Sequence, residues 1–147
     1  MSARILAAGA VVLAVAGCGS SPPSAVANLK RQAAHVCTRA QAQGAQVMPP
    51  AVPAQTAAFL RRGIAVLRPE LTALRALRVP PMQSGAYSTA VGALARELTI
   101  LTETAHELDR GADPLTTIKT LEHGLAPVES AADTAWRTLG VPACVAR

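Results

Sequence analysis

Apolar side chains recur at alternating steps of three and four residues along four long segments of this 147-residue chain. That spacing places one apolar stripe along the side of an α-helix, where a neighbouring helix can cover it. The predicted helices cover about residues 24–43, 53–78, 82–110 and 114–139. Four amphipathic helices of this length with short connections predict an all-α fold, an antiparallel four-helix bundle with up-down-up-down topology.

Helix-breaking residues separate the four segments. Gly44 ends the first segment and Gly140 ends the fourth. Asp113 followed by Pro114 is the order expected of a helix cap and a first helical residue. The apolar stripe of the fourth segment therefore starts at Leu115.

Two prolines fall inside predicted helices. Pro69 interrupts the second segment and Pro127 the fourth, yet the apolar spacing continues across both. A proline inside a helix removes one backbone hydrogen bond and bends the axis. We therefore predict two kinked helices rather than four shorter ones.

The composition supports a helical fold. The chain contains 32 Ala but one Trp, one Tyr and one Phe. Alanine is the best helix former, whereas strands prefer β-branched and aromatic residues, so a β-sandwich is excluded. The scarcity of aromatic residues also argues against base stacking, and we expect no nucleic-acid partner.

The first residues have the order of an export signal. Arg4 precedes an uncharged run, residues 5–16, that is too short to span a bilayer. Val15-Ala16-Gly17-Cys18 then resembles the bacterial lipobox, which implies cleavage after residue 17 and a diacylglycerol on Cys18, often with a second acyl chain such as palmitate. Residues 18–23 would then be the lipidated cysteine and a flexible tether, and residues 24–147 the helical domain. An ordinary secretory signal with a chance cysteine is the alternative.

Export leaves Cys37 and Cys144 in an oxidising compartment, which predicts a disulfide between them. Metal binding is the rival, but the chain has no Cys-x-x-Cys. The bundle topology places Cys144 where helix 1 begins, whereas Cys37 lies roughly 20 Å along that helix. Either helix 1 starts well outside the bundle, or the tail after Gly140 folds back along it.

Charge is divided unevenly. Residues 18–78 hold eight Lys/Arg and one acid, whereas residues 79–147 hold five Lys/Arg and eight acids. The basic helices can simply complement the acidic ones. Alternatively, a basic surface faces anionic lipid or another envelope polyanion. The candidates for that surface are Arg61, Arg62, Arg68, Arg75 and Arg78.

Catalytic and metal motifs are weak. Glu103 and His106 have the Glu-x-x-His spacing of di-iron bundles, but helix 4 offers only the adjacent Glu122 and His123 as a second pair. A solvated polar face is the better interpretation. The chain has no Gly-x-Ser-x-Gly or phosphate-binding loop. We therefore expect no catalytic residue, no cofactor and no enzymatic activity; Trp136 is assigned to the core or an interface.

Several segments together resemble small actinobacterial-type cell-envelope lipoproteins with helical mature domains. They are the lipobox, Ala33-Ala34-His35-Val36-Cys37, Leu74-Arg75-Ala76-Leu77-Arg78-Val79-Pro80-Pro81 and Leu139-Gly140-Val141-Pro142-Ala143-Cys144. The resemblance implies a location and a fold, with no activity to transfer.

The expected function is non-catalytic binding or scaffolding at the extracytoplasmic face of the bacterial cell membrane, with an N-terminal lipid as anchor. The expected partners are the membrane and an envelope protein or anionic lipid. The first alternative is a carrier or sensor of a small apolar ligand in the bundle core. A metal-binding bundle is less favoured.

Overall fold

The computed structural model describes residues 24–145, and these form an all-α, antiparallel up-down-up-down four-helix bundle tied by one disulfide. The helices are α1 (Ala25–Gly44), α2 (Thr56–Arg75), α3 (Ser84–Asp109) and α4 (Pro114–Leu139). α3 packs against α2 and α4, while α1 packs against α2 and the C-terminal tail.

Local sequence chemistry sets the start of α1 and both ends of α4. The Ser24 side chain accepts a hydrogen bond from the backbone N–H of Ala27, and Asp113 accepts one from Thr116 at 2.9 Å. The backbone hydrogen bond from Thr116 lowers the pKa of Asp113. Gly140 ends α4 with φ of 68°, in the left-handed region that glycine adopts without strain.

Helices 2 and 3 are shorter than the sequence pattern predicts. Residues 53–55 and 82–83, assigned above to the starts of these helices, lie instead in single 3-10 turns at residues 53–55 and 81–83. Each turn begins with a proline, which has no N–H but is tolerated in the first turn of a helical segment. The apolar periodicity predicted where these two helices lie, but the 3-10 turn beside each proline makes the observed α-helix start later than predicted.

Both internal prolines lie inside continuous helices. α2 runs through Pro69 and α4 runs through Pro127, and both rings are exposed. Exposure on the outer side lets water satisfy the carbonyl that each proline leaves without its helical donor. The prediction that each proline lies within one helix, and not between two, is therefore confirmed, while the kink at each proline stays a prediction.

The apolar stripes meet in one core that includes residues from all four helices. Near the end of the bundle where α3 begins and α4 finishes, the rings of Tyr87 and Trp136 make an edge-to-face contact with centroids 5.8 Å apart. The assignment of Trp136 to the core is confirmed, since its side chain is fully buried. The expectation that the buried stripe of α4 starts at Leu115 is wrong. The Leu115 side chain is 67% exposed, because the first turn of α4 extends beyond the helices that cover the rest of its stripe.

The predicted disulfide joins Cys37 to Cys144. The tail after Gly140 folds back along α1, through a 3-10 turn at residues 142–144. Gln41 Nε2 donates a hydrogen bond to the carbonyl of Ala143 at 2.9 Å. Of the two routes considered for this pair, the folded-back tail is the one observed.

The signal segment 1–17, Cys18 and the tether to residue 23 lie outside the described residues. Within residues 24–145, none of the helices has the length and hydrophobicity needed to cross a membrane.

Candidate ligand groove

A groove of about 530 Å³ opens between the C-terminal half of α1 and the N-terminal half of α2, with α3 as its floor. We call it the α1–α2 groove. Most of its wall is apolar, and its principal lining residues are Ala40, Val47, Phe59, Gly63, Leu67 and Leu101. Pockets that bind drug-sized molecules have volumes of about 300–1,000 Å³, so the groove is large enough for a small ligand.

Small residues on the facing helices create the groove. Ala40 and Gly44 of α1 stand opposite a part of α2 that contains Gly63. A Cβ atom built on Gly63 would meet no neighbouring atom within 4 Å, so the space beside this glycine is open. The helices therefore leave a gap where two larger side chains would have closed it.

A buried carboxylate marks the inner part of the groove. Glu70 is 3% exposed and lines the groove together with Glu97 of α3. A second cavity of about 240 Å³, which also touches Glu70, continues along the same helices past Arg39 and Pro69. The groove therefore combines an apolar wall with two carboxyl groups, those of Glu70 and Glu97.

The burial of Glu70 was not predicted from the sequence, where it entered only as the single acid of the basic half. A signal was present. Glu70 stands at the third position after Leu67 and immediately before Leu71, on the apolar side of α2. An ionisable residue in such a position is expensive to bury and is therefore a functional candidate.

The arginines proposed for a basic surface extend along the whole of α2. At one end Arg61 forms an ion pair with Asp109 of α3, and Arg62 donates to the carbonyl of Met48 at 3.2 Å. Arg75 lies 14 residues beyond Arg61, about 21 Å along the helix axis. Arg68, Arg75 and Arg78 are exposed.

The weak metal candidates stand apart from the core. Glu103 and His106 are exposed on α3, and Glu122 and His123 are exposed on α4. Among residues 24–145, no group of three or more His, Cys, Asp or Glu side chains is placed to hold a metal ion. His35 is also on the surface.

Comparisons with family models, curated proteins and solved structures find no match for this chain.

Proposed function

We propose that the chain is a lipid-anchored, non-catalytic binding protein at the extracytoplasmic face of the bacterial cell membrane, and that it holds a small apolar ligand in the α1–α2 groove. The anchor rests on Cys18 and the segment before it, which resemble a lipobox. The groove is the observation that carries the binding function, because its wall is apolar and its volume suits a ligand.

The ligand class follows from the lining. Val47, Phe59 and Leu67 offer hydrocarbon surface, which favours an alkyl chain or another flat apolar body. Two acidic side chains, Glu70 and Glu97, line the same space, and carboxyl oxygens accept hydrogen bonds. An apolar molecule whose polar end donates hydrogen bonds, such as an alkylamine, therefore fits the lining.

A blocking substitution tests the groove. Gly63→Leu places a side chain in the open space, and the expected result is weaker binding of dodecylamine by at least about tenfold, the burial of roughly two methylene groups. Gly124→Leu is the matched control, because Gly124 is an exposed helical glycine of α4 with equally open space around its Cβ. Both substitutions replace glycine inside a helix, so their effects on helix propensity are alike.

Binding would be followed by native mass spectrometry on a chain that begins at Gly19. This chain keeps the whole hydrophobic core and the disulfide, since both lie within residues 24–145. Equal affinity of the two variants, or a folded chain that takes no hydrocarbon probe, would overturn the groove as the binding site. The anchor is tested separately: fatty-acid label that survives Cys18→Ala in a producing cell contradicts it.

Scaffolding of an envelope protein is a second candidate. The α1–α2 connection and the start of α4 meet at one end of the bundle. Met48, Val52 and Leu115 belong to these segments and are all largely exposed. Exposed apolar side chains grouped at one end of a domain are typical of a protein-binding surface. Loss of a copurifying partner in Met48→Ser with Leu115→Ser, while dodecylamine binding persists, would favour this role.

A further inference from the structure

The antiparallel topology brings cations from three helices to one end of the bundle. α1 and α3 begin at this end, and α2 and α4 finish there. The residues involved lie within about two turns of a helix end or just beyond it, and all are exposed. We call this set the basic end: Lys30, Arg31, Arg75, Arg78 and Arg137.

Contacts show that these segments do meet. Lys30 of α1, Gln83 before α3 and Leu139 of α4 line a single crevice. The Lys30 ammonium lies 2.7 Å from where a Cβ on Gly140 would stand, beside the C-terminus of α4. A cation at that position is favoured by the helix dipole.

Acidic residues are concentrated toward the opposite end. Glu107 and Asp109 lie in the last turn of α3, and Asp113 caps the start of α4. Near the basic end, Asp133 pairs with Arg137 at 3.1 Å. The opposite end also carries Arg61, Arg62 and Arg110, so acidic and basic side chains are mixed there, whereas cations are in excess at the basic end.

An exposed apolar side chain accompanies these cations. Met82 is 95% exposed and belongs to the connection between α2 and α3, four residues after Arg78. Cations beside an exposed apolar side chain are the combination found on protein surfaces that lie at a membrane interface.

The first described residue, Ser24, lies at the same end. Ser24 caps α1 there, and Cys18 is six residues upstream, a distance of at most about 20 Å when fully extended. If Cys18 carries the proposed lipid, the basic end stays close to the bilayer surface. The electric field of anionic headgroups extends about 8 Å from the bilayer at physiological salt, and a tether of this length lets the basic end come that close to the surface.

We propose that the basic end docks on anionic phospholipid headgroups and holds the bundle upright on the membrane. The inference rests on the proposed anchor, and it adds an orientation. The apolar part of the α1–α2 groove, at residues 40–47 of α1 and its connection and at Phe59 and Gly63 of α2, lies toward the opposite end, so docking turns this part away from the bilayer. Such a protein accepts its ligand from the side facing away from its own membrane.

Vesicle sedimentation tests this with the chain that begins at Gly19 and therefore carries no lipid. The vesicles are phosphatidylcholine alone or phosphatidylcholine mixed with phosphatidylglycerol. The variant Arg75→Gln with Arg78→Gln removes two charges from the basic end and is expected to weaken binding to the mixed vesicles on the order of tenfold. The control, Arg61→Gln with Arg62→Gln, removes two charges from the far end of the same helix and is expected to bind as the parent does.

Equal loss in both double variants would overturn the proposal, because it would show attraction by net charge alone. Equal binding to both vesicle types, or tighter binding to soluble polyphosphate than to mixed vesicles, would overturn it too. Thermal unfolding of each variant shows that it is folded. Because the tested chain lacks Cys18, these results stand apart from fatty-acid labelling, which can fail while vesicle docking succeeds.

Discussion

The hydroxyl of Tyr87 is buried where three helices meet. It donates a hydrogen bond to the carbonyl of Leu74 in α2 at 2.7 Å, while the ring packs on Trp136 of α4. Burial raises the pKa of Tyr87 to about 12, from a usual value of 10. The neutral hydroxyl therefore ties α3 to α2, and its ionisation in the folded protein is costly.

This pKa predicts a loss of stability at alkaline pH. Between about pH 10 and 12 the unfolded chain gives up the Tyr87 proton while the folded chain keeps it, so the free energy of unfolding falls as pH rises. Below pH 10 the contribution is fully present. Urea unfolding at pH 9 and pH 11 measures the effect, expected to be on the order of 1–2 kcal/mol.

Tyr87→Phe is the control, and it is clean because the chain has a single tyrosine. This variant lacks the hydrogen bond to Leu74, so its free energy of unfolding at neutral pH is expected to be about 1 kcal/mol lower than that of the parent. Between pH 9 and pH 11 its free energy of unfolding falls less than that of the parent. An equal fall in both proteins would assign the alkaline loss to other groups.

Sequence pattern predicted individual core residues well where neighbours on the same helix decide burial. Trp136, for example, was assigned correctly to the core or an interface. Leu115 was assigned wrongly and Glu70 was missed, because their burial depends on how far another helix extends over each position. Periodicity along one helix carries no information on that.

At the scale of the element, helix ends were predicted best where one residue determines the backbone. Asp113 and Gly140 were located correctly because a cap and a left-handed glycine act within one turn. The starts of α2 and α3 were placed three and two residues early, respectively. A 3-10 turn and the first turn of an α-helix share the same apolar spacing over so short a length.

Gly140→Ala and Gly111→Ala are both expected to destabilise the protein. Gly140 and Gly111 have positive φ, 68° and 90° respectively, so alanine at either position costs about 1 kcal/mol in backbone strain. A methyl group at Gly140 also meets the Lys30 ammonium, but this is the far end of a flexible, exposed side chain that moves aside at little cost, and at Gly111 the methyl group meets no atom within 4 Å. Urea unfolding measures both losses, and an unchanged stability in either variant would contradict the backbone strain assigned to that position.

Replacement of the internal prolines is expected to stabilise the bundle. Pro69→Ala and Pro127→Ala each restore one backbone hydrogen bond in the middle of a helix, and neither ring is buried. The expected gain is about 1–3 kcal/mol for each, observed as a rise in melting temperature. A fall in either variant would show that the packing of its helix requires the bend that proline imposes.

At the scale of the whole molecule, the four-helix topology followed from the number and length of the helices. The groove did not, because it depends on which small residues of α1 and α2 face each other. The path of the tail was one of two open alternatives, and the contact of Ala143 with Gln41 decides it. Contacts between distant parts of the chain are set by helix rotation and separation, which a single sequence leaves open.

The disulfide is expected to supply a large share of the stability of the fold. Cys37 and Cys144 are separated by 107 residues, and cross-linking a loop of that length stabilises a folded chain by at most about 4.7 kcal/mol in the chain-entropy model. Domains of this size have about 5–15 kcal/mol in total. The double variant Cys37→Ala with Cys144→Ala should therefore unfold at markedly lower guanidinium concentration than the parent.

The variant Gln41→Ala distinguishes the stability supplied by the disulfide cross-link from the stability supplied by packing of the C-terminal tail on α1. It removes the hydrogen bond to Ala143 but leaves the cross-link, so a loss of about 1 kcal/mol is expected. If the cross-link acts on the unfolded chain, the double cysteine variant loses several times as much as Gln41→Ala. Similar losses would mean that the disulfide only fastens the tail to α1, and that the apolar core formed by the four helices provides nearly all the stability of the bundle.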